Sequence, residues 1–265
     1  MTDRPKVLIT GGAGLIGSIL VDKLSEKYDF TSFDLKESSK ARSVVGDLSN
    51  YAEVEKAFAG HDAVVHLAAD RSVEASWDSA LKNNFVATYN VFEAAKRVGV
   101  KRVVFASSQH ATGGFYTVEP WKFIVDGEFG KLTHGQYPLL DETCQIRPDG
   151  YYGTSKAYGE ALGSYYNDYH GLSSIHLRIG WVLSNDDPTF SPFALSLWLS
   201  HRDIAQLVDL SLGAPESHRY GIYYATSDNK WKIWDISRAK AELGYKPFDA
   251  AGEEFVPGPP PGRDQ

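Results

Sequence analysis

Tyr152 and Lys156, in the run Tyr152-Gly153-Thr154-Ser155-Lys156, are the residues of this chain best suited to proton chemistry. On a helix, a spacing of four puts both side chains on one face, whereas Tyr151 points about 100° away. A free phenol ionises at about pH 10. It therefore serves as a general acid/base only when a neighbouring cation favours the phenolate, and Lys156 is spaced to do so. A second group is backbone rather than side chain. Thr10-Gly11-Gly12-Ala13-Gly14-Leu15-Ile16-Gly17 holds Gly-x-Gly-x-x-Gly at Gly12, Gly14 and Gly17, directly after an apolar run and at the head of an amphipathic one. In that setting, free N–H groups and a helix N-terminus can meet a pyrophosphate, and so many glycines point to close approach by a ligand rather than to a simple turn. Asp34, at the end of the next β-like run, is placed to accept from an adenosine ribose and to repel a 2′-phosphate, so NAD is the expected cofactor.

These groups need a scaffold that brings turns to one edge. Short β-branched runs at Lys6 to Thr10, Phe30 to Phe33, Ser43 to Val45, Ala63 to Leu67, Arg102 to Ala106 and Ser174 to Ile179 read as strands. Helical patterns lie between them, from Leu15 to Lys27, through Val86, Asn90, Phe92 and Ala95 to Gly99, and from Tyr152 to about Tyr169. This alternation predicts an α/β fold, a doubly wound parallel sheet. Asp47-Leu48 and Leu67-Ala68-Ala69 then fall at strand C-ends, where such sheets bind ligands. Between Ala111 and Pro148 glycines break the pattern, which reads as a long loop or lid. The expected organisation is a dinucleotide-binding core over 1–180 with a lid insertion at about 111–148, a small substrate lobe over 181–254 with helices at Arg202 to Leu212 and Ser237 to Leu243, and a Pro-rich tail over 255–265.

Composition narrows the function classes. Lys plus Arg number 27 against 34 Asp plus Glu, a net charge of −7, which opposes nucleic-acid binding. Cys144 is the single cysteine, so no intrachain disulfide forms and a reducing, cytoplasmic location is expected. No uncharged apolar stretch approaches the ~18 residues of a membrane span, and no His or Cys pair has metal-ligand spacing.

Taken in order, Thr10 to Gly17, Asp34, Asp47-Leu48, Leu67-Ala68-Ala69, Ser107-Ser108 and Tyr152-x-x-x-Lys156 resemble an extended short-chain dehydrogenase/reductase, from residue 6 to about 250. The resemblance implies a Rossmann core and a catalytic set of Ser108, Tyr152 and Lys156. It implies NAD contacts from Gly11, Gly14, Leu15, Ile16, Gly17, Asp34, Asp47, Leu48, Leu67, Ala68, Ala69, Asn84, Ser107, Tyr152, Lys156 and Ile179. A narrower likeness, in Phe105 to His110, Arg147-Pro148-Asp149-Gly150, Leu177 to Gly180 and Trp198 to Asp203, is to NAD-dependent uronate dehydrogenases and related enzymes of free sugars. It implies a sugar pocket containing Ser72, Ser108, Gln109 and His110, with Gln109 where those relatives usually carry Asn. Phe193 stands where uronate dehydrogenases place an Arg that binds the substrate carboxylate, which points to a neutral aldose oxidised at C1 to its lactone. The interval from Ser108 to Tyr152 is longer than in those relatives, so the lid's contacts cannot be carried over. A homo-oligomer acting on a small sugar is expected. Two readings stay open beside it: a nucleotide-sugar epimerase or dehydratase, and a sensor that binds NAD without catalysis.

Overall fold

A computed structural model describes residues 4–72 and 74–260. β1 (Lys6–Thr10) leads through the glycine turn into α1 (Leu15–Leu24), followed by β2 (Asp29–Asp34), β3 (Arg42–Val45), α2 (Tyr51–Phe58) and β4 (Ala63–His66). α3 (Trp77–Ala80), a π-helical turn (Leu81–Val86) and α4 (Ala87–Val98) then run on from one another, and Gly99 ends α4 in the left-handed conformation. β5 (Arg102–Ser108) opens the second half, followed by α5 (Trp121–Val125), α6 (Tyr151–His170) and β6 (Ser173–Ile179). α7 (Pro192–Leu197), α8 (His201–Gly213) and β7 (Tyr220–Ala225) complete the named elements.

All seven strands form one parallel sheet in the order β3-β2-β1-β4-β5-β6-β7. The chain leaves β1 toward one edge and returns to β4 on its other side. The connections that follow β1 and β4 therefore leave toward opposite faces of the sheet, α1 on one and α4 on the other, which makes this the switch point where such sheets bind ligands. Two apolar clusters cover the sheet's faces: Leu8, Val64, Val103 and Phe105 with Val91 and Phe92 of α4, and Val7, Ile9, Val104 and Ile175 with Leu20 of α1 and Leu207 of α8. β5 and β6 are buried along their whole length, as strands covered on both faces must be.

β7 was not among the expected strands. Its run Tyr220-Gly221-Ile222-Tyr223-Tyr224-Ala225 is aromatic rather than aliphatic, and only its pairing with β6 identifies it. The stretch read as a loop between Ala111 and Pro148 instead holds 3-10 turns over Gln109–Thr117, kinked at Thr112, then α5, then a further 3-10 turn at Phe129–Lys131. Such short turns leave no sustained period in sequence. Ser237 to Leu243 is helical as expected, with Asp235 Oδ1 accepting from the Ser237 N–H at 2.7 Å and left-handed Gly244 closing it. Of the Pro-rich tail, Val256 and Gly258 donate to the carbonyls of Thr189 and Phe190, while 261–265 lie outside the described residues.

α6 carries Tyr152 and Lys156 and lies very close to the sheet. A Cβ on Gly159 would come within 2.3 Å of the Phe105 ring, and one on Gly163 within 2.2 Å of the His176 ring. The fully buried pair Glu160–Arg178 locks the same helix to β6, with Nε and Nη2 of Arg178 each donating to a carboxylate oxygen at 2.9 Å. No helix among the described residues is long and apolar enough to cross a membrane.

Candidate active site

The glycine turn and the end of β4 meet back to back at the switch point. The N–H groups of Leu67 and Ala68 both donate to the Thr10 carbonyl at 3.1 Å. Gly11 is left-handed, at φ +71°, and a Cβ there would lie 2.8 Å from the Ala68 nitrogen. A Cβ on Gly17 would sit 2.6 Å from Gly12 backbone atoms, so α1 starts hard against the turn. No side chain caps α1 and its first turn carries no acid, which leaves its N–H groups free for an anion beside Leu15 and Ile16. Asp34 Oδ2 accepts from the Ala13 N–H at 3.1 Å, which fixes the carboxylate at the rim of the turn. These features fit a dinucleotide: a pyrophosphate against backbone N–H groups and a ribose at Asp34.

Other expected cofactor contacts are already engaged inside the protein. Asp47 accepts from the Ser49 N–H and pairs with Lys82 at 2.9 Å, which together hold its carboxyl below the usual range. The Leu48 carbonyl accepts from Asn90. Asn84, 2 % exposed, accepts from the Asp70 N–H and donates to the Asp70 carbonyl and to Ser155 Oγ. Its side chain thus ties the Asp70-Arg71-Ser72 loop to α6. Ser107 Oγ donates to Glu160 at 2.6 Å, because successive β5 side chains face opposite ways and Ser108 takes the site side. Ile179 ends β6, almost fully buried.

Ser108, Tyr152 and Lys156 come together at the end of β5. Ser108 Oγ accepts from the His110 N–H at 3.2 Å, and Lys156 Nζ lies 5.3 Å from the centre of the Tyr152 ring. Burial raises the Tyr152 pKa; Ser108 and the positive charge of Arg71 pull it down, and Asp149 pushes it up. Lys156, 4 % exposed, is depressed by burial to about 7. His110 Nδ1 lies 2.7 Å from Asp149 Oδ2, and a carboxylate only accepts, so Nδ1 donates and Nε2 is the free acceptor of the neutral ring. The His110 ring stands edge-on to Tyr152 at 5.6 Å. Ser72 accepts from the Glu74 N–H on the loop that Asn84 holds. Gln109 is buried, and its Oε1 has no hydrogen-bond partner among the described residues.

Phe193, on α7, faces Tyr116 at 5.0 Å and Trp181 at 6.4 Å. Other aromatics of the second half pack elsewhere: Trp234 is fully buried, Trp231 stacks on Phe129, and Trp198 Nε1 donates to Asp186. A cavity of about 910 Å³ opens at the N-terminal ends of the strands, away from these residues. There Arg102 donates to the carbonyls of Ser211, Leu212, Ala214, Pro215 and His218, so it serves the fold.

Sequence reading gave no role to Asp149, Glu160, Arg178 or Tyr116. Two of them left a signal: Glu160 continues the Tyr152–Lys156 face at spacing four, and Arg178 is a charge inside an apolar strand.

A model of the NAD dependent epimerase/dehydratase family matches residues 7–200. The chain is similar to an NAD-dependent glucose-6-phosphate dehydrogenase of Haloferax volcanii, 37% identical over 97% of this chain and 98% of the relative. It is also similar to an L-arabinose 1-dehydrogenase (NAD(P)(+)) of the same organism, 35% identical over 92% and 96%. Among solved structures, uronate dehydrogenase from Agrobacterium tumefaciens superposes with a TM-score of 0.77 at 30% identity, covering 94% of this chain and 86% of that one. The dinucleotide turn at the switch point, the Ser108–Tyr152–Lys156 cluster beside it and these likenesses over nearly the whole chain agree, and the chain belongs to the NAD dependent epimerase/dehydratase family.

Proposed function

We propose that this protein is an NAD-dependent sugar dehydrogenase that oxidises a free aldose at C1 to the lactone. The observation that carries the reading is the cluster of Ser108, Tyr152 and Lys156 at the end of β5 beside the dinucleotide turn, with Lys156 Nζ 5.3 Å from the centre of the Tyr152 ring. The sugar-dehydrogenase names of its relatives support it. Tyr152 Oη takes the proton of the anomeric hydroxyl, and Ser108 donates a hydrogen bond to the same sugar oxygen. The chemistry that bound NAD supplies is acceptance of the hydride leaving C1. Gly11, Gly14 and Gly17 would admit its pyrophosphate, Asp34 would hold its adenosine ribose and Lys156 its nicotinamide ribose. His110 Nε2, its tautomer set by Asp149, accepts from a sugar hydroxyl.

Phe193 favours a neutral sugar, since a phenyl group offers an apolar wall where a carboxylate would need a cation. A second reading, an anionic sugar, is favoured by exposed Arg71, whose charge reaches Tyr152, and by the glucose-6-phosphate specificity in one relative's name. NADH formation followed by absorbance with neutral aldoses, aldose phosphates and uronates separates them. The highest kcat/KM is expected for a neutral aldose; preference for a phosphate or uronate would transfer the assignment to Arg71, and sugar interconversion without net NADH would indicate an epimerase.

The homo-oligomer is inferred to form through α4, α6 and the π-helical turn. Trp77, Leu81, Val86 and Tyr89 are exposed along one side, and Tyr151, Tyr165 and Tyr169 along the other. Contact between the two rows, with Phe85 against Tyr158 at 5.2 Å and Trp77 against Tyr151 at 5.5 Å, makes one aromatic surface of the kind that a second copy covers.

A further inference from the structure

Tyr116 lies on the 3-10 segment that starts at Gln109, inside the insertion whose contacts could not be carried over from relatives. Its ring stands edge-on to Phe193 at 5.0 Å, to Trp234 at 5.6 Å and to His110 at 6.0 Å. His110 in turn stands edge-on to Tyr152, so Tyr116 is one ring removed from the reacting phenol. Its hydroxyl is shut off from solvent and has no hydrogen-bond partner among the described residues. Neighbouring polar groups are committed to one another: Thr112 Oγ1 meets the Tyr224 hydroxyl at 2.9 Å and accepts from Trp234 Nε1 at 3.4 Å, and Cys144 Sγ meets the Tyr224 hydroxyl at 3.3 Å. Burial raises the Tyr116 pKa well above its usual value, and Asp149, Tyr224 and Tyr152 add to the rise.

A buried hydroxyl without a partner costs folding free energy, and phenylalanine would fill the same aromatic slot without that cost. Packing therefore accounts for the ring and not for the oxygen. We propose that Tyr116 is a specificity-determining residue: its hydroxyl makes a hydrogen bond with one ring hydroxyl of the sugar held against Tyr152. Resting on the sugar-dehydrogenase reading, this names a substrate contact supplied by the insertion. It requires a polyhydroxylated substrate, because the pairing is completed only when the ligand brings an oxygen up beside Phe193 and His110.

The test compares wild type with Tyr116→Phe on the aldose that wild type oxidises best, on its monodeoxy analogues, and by thermal unfolding without sugar. The expected result is a KM raised about five- to tenfold, the range of one neutral hydrogen bond, with kcat nearly unchanged and Tm equal or higher. For one monodeoxy sugar, the analogue lacking the paired hydroxyl, the two proteins should then perform alike. Unchanged KM for every sugar would overturn the proposal, and so would a lower Tm with unchanged kinetics, since the hydroxyl would then be satisfied inside the protein. If wild type oxidises no sugar, the dehydrogenase reading itself fails and takes this contact with it. An active wild type matched by the variant removes only the contact.

Discussion

The two halves of the sheet's C-terminal edge are built differently. On the β1, β2 and β4 side the site consists mostly of backbone: the Gly11 to Gly17 turn, the uncapped start of α1, and one carboxylate, Asp34, held by a backbone N–H. On the β5, β6 and β7 side it is side chains drawn from distant segments: Ser108, Tyr152, His110 fixed by Asp149, and the row of Tyr116 and Phe193. A dinucleotide presents the same phosphates and riboses to any protein that binds it, so a local turn can recognise it. A sugar is distinguished only by where its hydroxyls point, and that demands groups placed in three dimensions.

If this contrast is real, damage should divide the same way. The largest effect is expected from Tyr152→Phe, which removes the proton acceptor and leaves the backbone site intact. The kcat/KM should fall ~10²-fold or more, while NADH affinity and Tm stay at wild-type values. Activity within a few-fold of wild type would show that another base operates. Gly17→Ala tests the other half, because the added methyl meets Gly12 backbone atoms at 2.6 Å and neither side can yield cheaply. It should cost roughly 1–3 kcal/mol of stability by urea unfolding and weaken NADH binding in a fluorescence titration, with the pH profile of the remaining activity unmoved. A stable, tight-binding variant would mean that the turn relaxes freely and that the backbone carries less than supposed.

The smallest effects sharpen the electrostatics of the side-chain half. Arg71 lowers the Tyr152 pKa and Asp149 raises it. Sugar oxidation uses the phenolate, so activity rises with pH along the limb set by Tyr152. Arg71→Ala, which removes the positive charge, should therefore move that limb to higher pH, and Asp149→Asn should move it to lower pH. Profiles of kcat/KM against pH for the two variants must shift in opposite directions; a common direction would remove both charges from the account.

The first half of the fold was legible because its signals are local. β1, α1 and Gly99 at the end of α4 each follow from residues within one turn or strand, and the structure places them as read except that α1 ends at Leu24 rather than Lys27. Tyr152 and Lys156 were equally readable, since a helix converts spacing four into shared direction whatever surrounds it. β7 was not, because Tyr220 to Ala225 becomes a strand by pairing with β6 rather than by any alternation of its own. Within the site, spacing alone selected Tyr152 and Lys156 as the pair that can move a proton and the Gly11 to Gly17 turn as the place for a pyrophosphate, while Ser108 came from the family resemblance. Only tertiary structure decided which charges act on the phenol. Burial brought Lys156 down to about 7, and Arg71, Asp149 and the unpaired Tyr116 hydroxyl arrived from three other segments. Spacing along a helix is covalent information that the chain carries with it; desolvation and the approach of distant charges exist only once the core has closed around them.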